Sequence, residues 1–232
     1  MNYGKLFLIP NFLSDDNPED FIANMVKRMV HHLQYFVVEN EKEARALIKK
    51  LGLKLGQPEL IIHLLNEHTP PEEVPSLLKL LENNDVGIIS DAGLPCVADP
   101  GSALVALAQT KNIEIVPLPG ASSLMMALMG SGFNGQSFTF SGYLPIDKNA
   151  RGKKIKELES LSHRGITQIF METPYRNRQL LEDLITHCSG HSKLCIACNM
   201  SAEKGWVQTK TLQQWRQQKP EFHKIPCVFI LG

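Results

Sequence analysis

The residues best suited to chemistry lie in three loops: SDAGLPCVADPG (Ser90 to Gly101), PLPGASS (Pro117 to Ser123) and METPYRN (Met171 to Asn177). Each follows an apolar run of β type and precedes a helical pattern. Each therefore delivers small or polar residues to the carboxyl end of a strand, where open α/β sheets bind small ligands. Glycine, alanine and serine let a ligand approach the backbone, and a helix start leaves main-chain N–H groups free to receive its polar atoms. The competing reading is a pair of tight structural turns in which Asp99 serves only as a helix N-cap. In the third loop Glu172 and Arg176 stand four residues apart. They form either an ion pair beside a helix start, worth little if exposed, or a carboxylate presented to a ligand.

To position those loops, short apolar runs must alternate with helical patterns. In the first half the sequence predicts strands at Lys5 to Ile9, Tyr35 to Val38, Leu60 to His63, Val86 to Ser90 and Ile113 to Pro117. Amphipathic segments from about Glu19, Asn40, Pro71 and Pro100 separate them, the rhythm of crossover connections and a mostly parallel sheet. Asn40 with Glu43 reads as a capping box, and Asp99 before Pro100 as an N-cap preceding a first-turn proline. The second half predicts strands at Ser137 to Ser141, Thr167 to Met171, Lys193 to Asn199, Gly205 to Thr209 and Cys227 to Leu231, a more mixed pattern with some antiparallel pairing. Proline-rich PLPG marks the boundary, giving an N-terminal α/β domain over 1–118 and a C-terminal α/β domain over 119–232.

Composition narrows the classes. With 24 basic and 24 acidic residues, the summed charge gives no general attraction to a polyanion. No apolar run is long enough to span a bilayer, and a cytoplasmic protein is expected. Five cysteines, mostly in apolar runs, suit reduced buried thiols better than a disulfide framework. Cys195 and Cys198 have the CxxC spacing but no partner set for zinc, and on a strand they point to opposite faces, so no metal is expected. GSGFNG (Gly130 to Gly135) matches a dinucleotide fingerprint by letter but follows a helix and precedes a strand, so it reads as a helix C-cap. His31 and His32 fit the C-terminal end of the first helix.

In order and spacing, SDAGLPCVADPG, PLPGASS, FMETPYR and ACNMSAE are similar to the motif series SDAGTPxxxDPG, PxPGPSA, FYESPHR and ARELTK. The chain resembles the tetrapyrrole-methylase superfamily of S-adenosylmethionine-dependent methyltransferases, and most of all the ribosomal small-subunit RNA 2′-O-methyltransferase I family. That resemblance implies two α/β domains with the cofactor in a cleft between them, a homodimer, and ribosomal RNA as substrate. Carried over residue by residue, it places cofactor contacts on Pro10, Ala92, Gly93, Leu94, Val97, Ser122, Ser123, Glu172 and Met200.

The departures concern charge. The family's TPIGNL becomes IPNFLSDD, which aligns Pro10 and Asn11 but supplies no glycine, and ACNMSAE lacks the Arg, Glu and Lys of ARELTK. EDTR appears as Glu39, Asn40, Glu41 and Lys42, and an NE pair survives as Asn66 and Glu67. Methyl transfer is an in-line displacement that depends on alignment, but a ribose hydroxyl must also lose its proton. Glu172, Glu39 and Glu67 are the candidate bases. Two other readings stay open: a methyltransferase of a tetrapyrrole or other small molecule, and a cofactor-binding protein without turnover.

Overall fold

Runs rich in β-branched and aromatic residues become the strands of two sheets in the computed structural model, which describes residues 2–14, 21–52 and 59–232. Residues Met1–Ser122 form one unit and Ser123–Gly232 a second. In the first, β1 (Leu6–Ile9), β2 (Tyr35–Val38), β3 (Ile61–Leu64), β4 (Val86–Ile89) and β5 (Ile115–Pro117) alternate with α1 (Asn24–Val30), α2 (Glu41–Lys50), α3 (Val74–Leu77) and α4 (Gly101–Thr110). The strand order is β3-β2-β4-β1-β5 and every pair is parallel. The helix expected from about Glu19 begins at Asn24, and Glu19 itself lies outside the described residues. Near Pro71 the expected helix is only a short α turn flanked by 3₁₀ turns, because Pro70, Pro71 and Pro75 remove amide donors from the segment.

Strand alternation splits the first core into two layers. Phe7, Ile9, Phe36 and Val38 pack with α1 and α2, whereas Leu6, Val37, Val86 and Ile88 pack with α3 and α4. Gly87 in β4 makes room for the first layer: a Cβ there would lie 2.5 Å from Ile9 Cδ1 and 3.0 Å from Phe36 Cδ1. Asn40 caps α2, its side chain accepting from the Lys42 and Glu43 amides. The complete reciprocal box forms elsewhere, between Thr211 and Gln214 at the start of α8 (Leu212–Gln217). Helix α1 ends at His31, whose Nε2 lies 3.0 Å from the Leu51 carbonyl, so this histidine is a C-terminal residue with a structural partner.

The second unit begins with α5 (Ser123–Ser131) and continues through β6 (Phe138–Tyr143), α6 (Lys148–Ser162), β7 (Thr167–Met171), α7 (Asn177–His187), β8 (Lys193–Cys198), β9 (Trp206–Thr211), α8 and β10 (Cys227–Leu231). Its order is β6-β7-β10-β8-β9, with β6 and β7 parallel and β10 antiparallel to both neighbours, the mixed sheet expected. Phe170, Ile196 and Phe229 face α6, α7 and α8, while Ile169, Cys195, Ala197 and Ile230 face α5. Cys195 and Cys198 thus enter opposite layers, as their spacing requires. Gly132, at φ +74°, ends α5 and explains GSGFNG as a helix stop. Arg151 of α6 and Asp183 of α7 make a buried 2.7 Å ion pair, and Arg151 also donates to the Pro145 and Ile146 carbonyls.

Candidate functional site

Topology decides which loops meet. Strand β4 lies between β1 and β2, so the segments leaving all three stand side by side at one edge of the first sheet, and β5 adds its own loop beside β1. Asn11, just past β1, is buried and ties the edge together. Its Nδ2 donates to the Ser90 carbonyl at 2.9 Å and the Asp91 carbonyl at 3.1 Å, while its backbone amide donates to the Gly93 carbonyl at 2.8 Å. The loop after β5 closes on the same point. A Cβ at Gly120 would stand 2.7 Å from Pro10 Cγ and 3.3 Å from Leu94 Cδ2, and one at Gly93 would reach 3.6 Å from the Ala121 carbonyl oxygen. Pro10, Gly93, Leu94, Gly120 and Ala121 are therefore one packed cluster built from three loops.

Within that cluster the SDAGLPCVADPG loop is held in an unusual conformation. Gly93, Cys96 and Ala98 have φ of +68°, +67° and +61°. For the two residues that carry a Cβ this conformation costs roughly 1–2 kcal/mol each. Asp99 offsets the strain by accepting from the Cys96 amide at 2.6 Å and the Gly101 amide at 2.8 Å, which fixes the loop ahead of α4; the N-cap position itself falls on Pro100, one residue later than expected. Ala92 and Val97 are exposed; Val97, at 45%, presents an apolar side chain to solvent beside this ordered backbone.

Acidic residues collect at the same edge. The Glu39 carboxylate, just past β2, accepts from the Asp91 amide at 2.8 Å. Burial raises its pKa above the ordinary value; the Asp91 N–H bond opposes that, and Asp99, Asp91 and Glu67 add repulsion. Asp91 is raised by burial, then by Glu43 and Asp99; Asp99 is raised by burial against its two N–H bonds. Carboxylates that resist ionisation beside one another form a corner that a cationic ligand would stabilise. Cys96 in the same loop is pushed up to about 12 by burial and by Asp99, so it stays a thiol.

The third loop belongs to the second unit. Glu172 follows β7 and is 4% exposed; its Oε1 accepts from Arg176 Nη2 at 2.5 Å and from the Thr173 amide at 2.7 Å. The ion pair read from the sequence is present, and the carboxylate is engaged by it. Met200 follows β8 in a turn where Asn199 and Ser201 have positive φ. Ser122 and Ser123 are partly buried at the start of α5, and Glu67 is exposed, 3.7 Å from His68. Sequence patterns missed Asn11 and Asp91 as organisers of the edge. Asn11 carried one advance signal, a short polar side chain of the kind that readily bonds to the main chain, whereas Asp91 acts through its own amide and carbonyl, which its residue type does not announce. Among the described residues no cluster of three or more His, Cys, Asp or Glu is arranged to hold a metal ion.

An all-parallel first unit with an acidic edge, followed in the chain by a mixed second unit, defines the architectural class. Residues 36–214 match the family model for tetrapyrrole (corrin/porphyrin) methylases, and a solved methyltransferase, CobJ, shares the fold with a TM-score of 0.63 at 18% identity, covering 99% of this chain and 94% of that one. Ribosomal RNA small subunit methyltransferase I of Xylella fastidiosa is 31% identical over 193 residues, 79% of this chain and 68% of that protein. The protein of the same name from Synechocystis sp. is 33% identical over 191 residues, 81% of this chain and 67% of that protein. The chain belongs to the tetrapyrrole methylase superfamily and, within it, to the ribosomal RNA small subunit methyltransferase I family. It is an S-adenosylmethionine-dependent methyltransferase. The acidic edge of the first unit, where burial and mutual repulsion raise Glu39 and Asp91, suits the cationic sulfonium and ammonium of that donor.

Proposed function

We propose that the chain transfers the methyl group of S-adenosylmethionine to a ribose 2′-hydroxyl of small-subunit ribosomal RNA. The observation that carries this reading is 31–33% identity to two proteins named as ribosomal RNA small subunit methyltransferases over about four fifths of the chain. In this reading the main chain of Ala92, Gly93 and Leu94 holds the donor, with Ser122 and Ser123 receiving its polar atoms and Pro10 and Val97 forming apolar walls.

The donor supplies a methyl carbon already bonded to a positive sulfur. The chain's own work is alignment and proton removal: a C–O bond forms as the C–S bond breaks, the bonding pair leaves on sulfur, and the hydroxyl proton passes to a carboxylate. Glu39 is the preferred acceptor. Its carboxylate stands at the loop with a raised proton affinity, whereas Glu172 is engaged by Arg176 and Glu67 is exposed. A homodimer acting in the cytoplasm completes the proposal.

The test is methyl transfer from labelled S-adenosylmethionine to 30S particles lacking their native ribose methyl, followed by nucleoside digestion. A labelled 2′-O-methylnucleoside is expected. Transfer only to a tetrapyrrole or other small molecule, with the donor bound, would overturn the RNA assignment.

A further inference from the structure

All five cysteines are free thiols, and two of them stand opposite one another on adjacent strands. Cys198 ends β8, Cys227 begins β10, and the antiparallel register sets them face to face. Both belong to the layer that packs on α6, α7 and α8, so their side chains leave the sheet on the same side. Backbone bonding fixes which kind of pair they form. The next pair along is Asn199 with Pro226, where the Asn199 amide donates to the Pro226 carbonyl at 2.9 Å. Antiparallel pairs alternate between hydrogen-bonded and non-hydrogen-bonded, so Cys198 and Cys227 form the second kind, with Cα atoms about 4.5 Å apart and side chains drawn together. A disulfide spans Cα separations of about 4.4–6.8 Å, so this backbone can accept one with little movement. Cys195 enters the opposite layer across from Ile230, Cys188 follows α7, and Cys96 lies in the first unit.

The two sulfurs hydrogen-bond to each other. That bond outweighs burial at Cys198 and brings its pKa below the ordinary thiol value, while the same bond, together with burial, holds Cys227 above it. The other three thiols are all raised by burial, Cys96 and Cys188 to about 12. The thiolate is the form that attacks an electrophile, so within this pair Cys198 is the nucleophile and Cys227 the resolving thiol. Cys227 Sγ also lies 3.4 Å from the Ile225 carbonyl, a second acceptor for its proton. Exposures of 1% and 6% shield the pair in the closed sheet. Each residue is nevertheless the terminal residue of its strand, and strand ends open more readily than strand centres.

We propose that Cys198 and Cys227 are a site of reversible oxidation, at which a peroxide converts the dithiol into a cross-strand disulfide. The Cys198 thiolate attacks a peroxide oxygen: an S–O bond forms, the O–O bond breaks, and the departing oxygen takes a proton and leaves as water. Cys227 then attacks the Cys198 sulfur: the S–S bond forms, the S–O bond breaks, and the hydroxyl leaves with the Cys227 proton as a second water. The two sulfurs lose two electrons and the peroxide gains them; a dithiol reductant reverses the change. The link pins β10 to β8 where the turn through Asn199 and Ser201, both at positive φ, departs. The test uses the full chain, reduced and then exposed to a few equivalents of hydrogen peroxide. Expected are loss of two of the five thiols, an intact mass lower by two hydrogen atoms, and a Cys198–Cys227 link in the peptide map, all reversed by dithiothreitol. In Cys227→Ser a 1,3-dione should capture Cys198 as its sulfenic acid, whereas Cys198→Ser should give neither a link nor capture at Cys227. Wild-type protein in which this pair stays reduced while folded, or in which another pair links first, would overturn the site. The wild-type map decides this alone, so a serine variant that fails to fold does not rescue the proposal. Neither donor binding nor RNA methylation enters these measurements, so failure here leaves the methyl-transfer proposal standing.

Discussion

Gly120 offers the sharpest test of the three-loop cluster. Replacing it with alanine places a carbon 2.7 Å from Pro10 Cγ, and closer still to Pro10 Cβ, with Leu94 Cδ2 at 3.3 Å on another side. Carbon atoms pack at about 3.5–4.0 Å, so the PLPGASS loop must move by about 1 Å or force Pro10 and Leu94 to do so. Overpacking of this kind costs typically 1–3 kcal/mol of stability, and a 1 Å displacement of positioning groups can lower a reaction rate on the order of 10²-fold. Gly165→Ala is the matched control: φ is +83° with nothing within 4 Å of the added carbon, so it introduces backbone strain of about 1–2 kcal/mol with no steric push. Denaturant unfolding and calorimetric titration of S-adenosylmethionine are measured on both. Both variants should lose similar stability, but only Gly120→Ala should lose tenfold or more in donor affinity. A folded Gly120→Ala protein that binds the donor as wild type does would refute the claim that these loops meet at the donor site.

Asn11→Ala removes two side-chain bonds to the Ser90 and Asp91 carbonyls, and should lower unfolding free energy by about 1–3 kcal/mol and weaken donor binding; an unchanged denaturation midpoint would count against the clamp. Arg151→Ala strands a buried Asp183 and should cost about 3–5 kcal/mol in denaturant unfolding, whereas Arg151→Met with Asp183→Leu should recover most of it. Glu39 has a folded pKa above its ordinary value, so the stability tied to its neutral form is complete at pH below about 4 and is lost as pH rises through the raised value. Glu39→Gln should therefore match wild type in melting temperature at low pH and exceed it near neutrality, while methyl transfer at saturating donor falls by about 10²–10⁴-fold. Equal melting at both pH values, or undiminished transfer, would remove Glu39 from the proposed role.

Much of the fold was legible because its signals are local. Tyr35–Val38, Thr167–Met171 and Cys227–Leu231 fall where apolar runs predicted them, and Asn40 caps its helix by its own chemistry. The loops of the candidate site were legible for the same reason, as small residues between a strand and a helix. What remained hidden is long-range. Nothing beside Asn11 in the chain indicates that its amide will meet carbonyls 79 and 80 positions later, since strand order alone makes β1 and β4 neighbours. The packing of Gly120 on Pro10 and the collection of Glu39, Asp91 and Asp99 at one edge likewise follow from strand order. Glu172 could be read two ways until Arg176 and Thr173 were seen to occupy its oxygen.

The placement of β10 also governs the order in which the molecule can be built. During synthesis the first sheet is complete once Ile115–Pro117, an edge strand, has emerged. The second sheet stays in two pieces, β6 with β7 and β8 with β9, each with an open hydrogen-bonding edge, until Cys227–Leu231 slots between them. A nascent chain stalled before Cys227 would thus carry a finished N-terminal sheet and a sticky, divided C-terminal one, the state most in need of a chaperone.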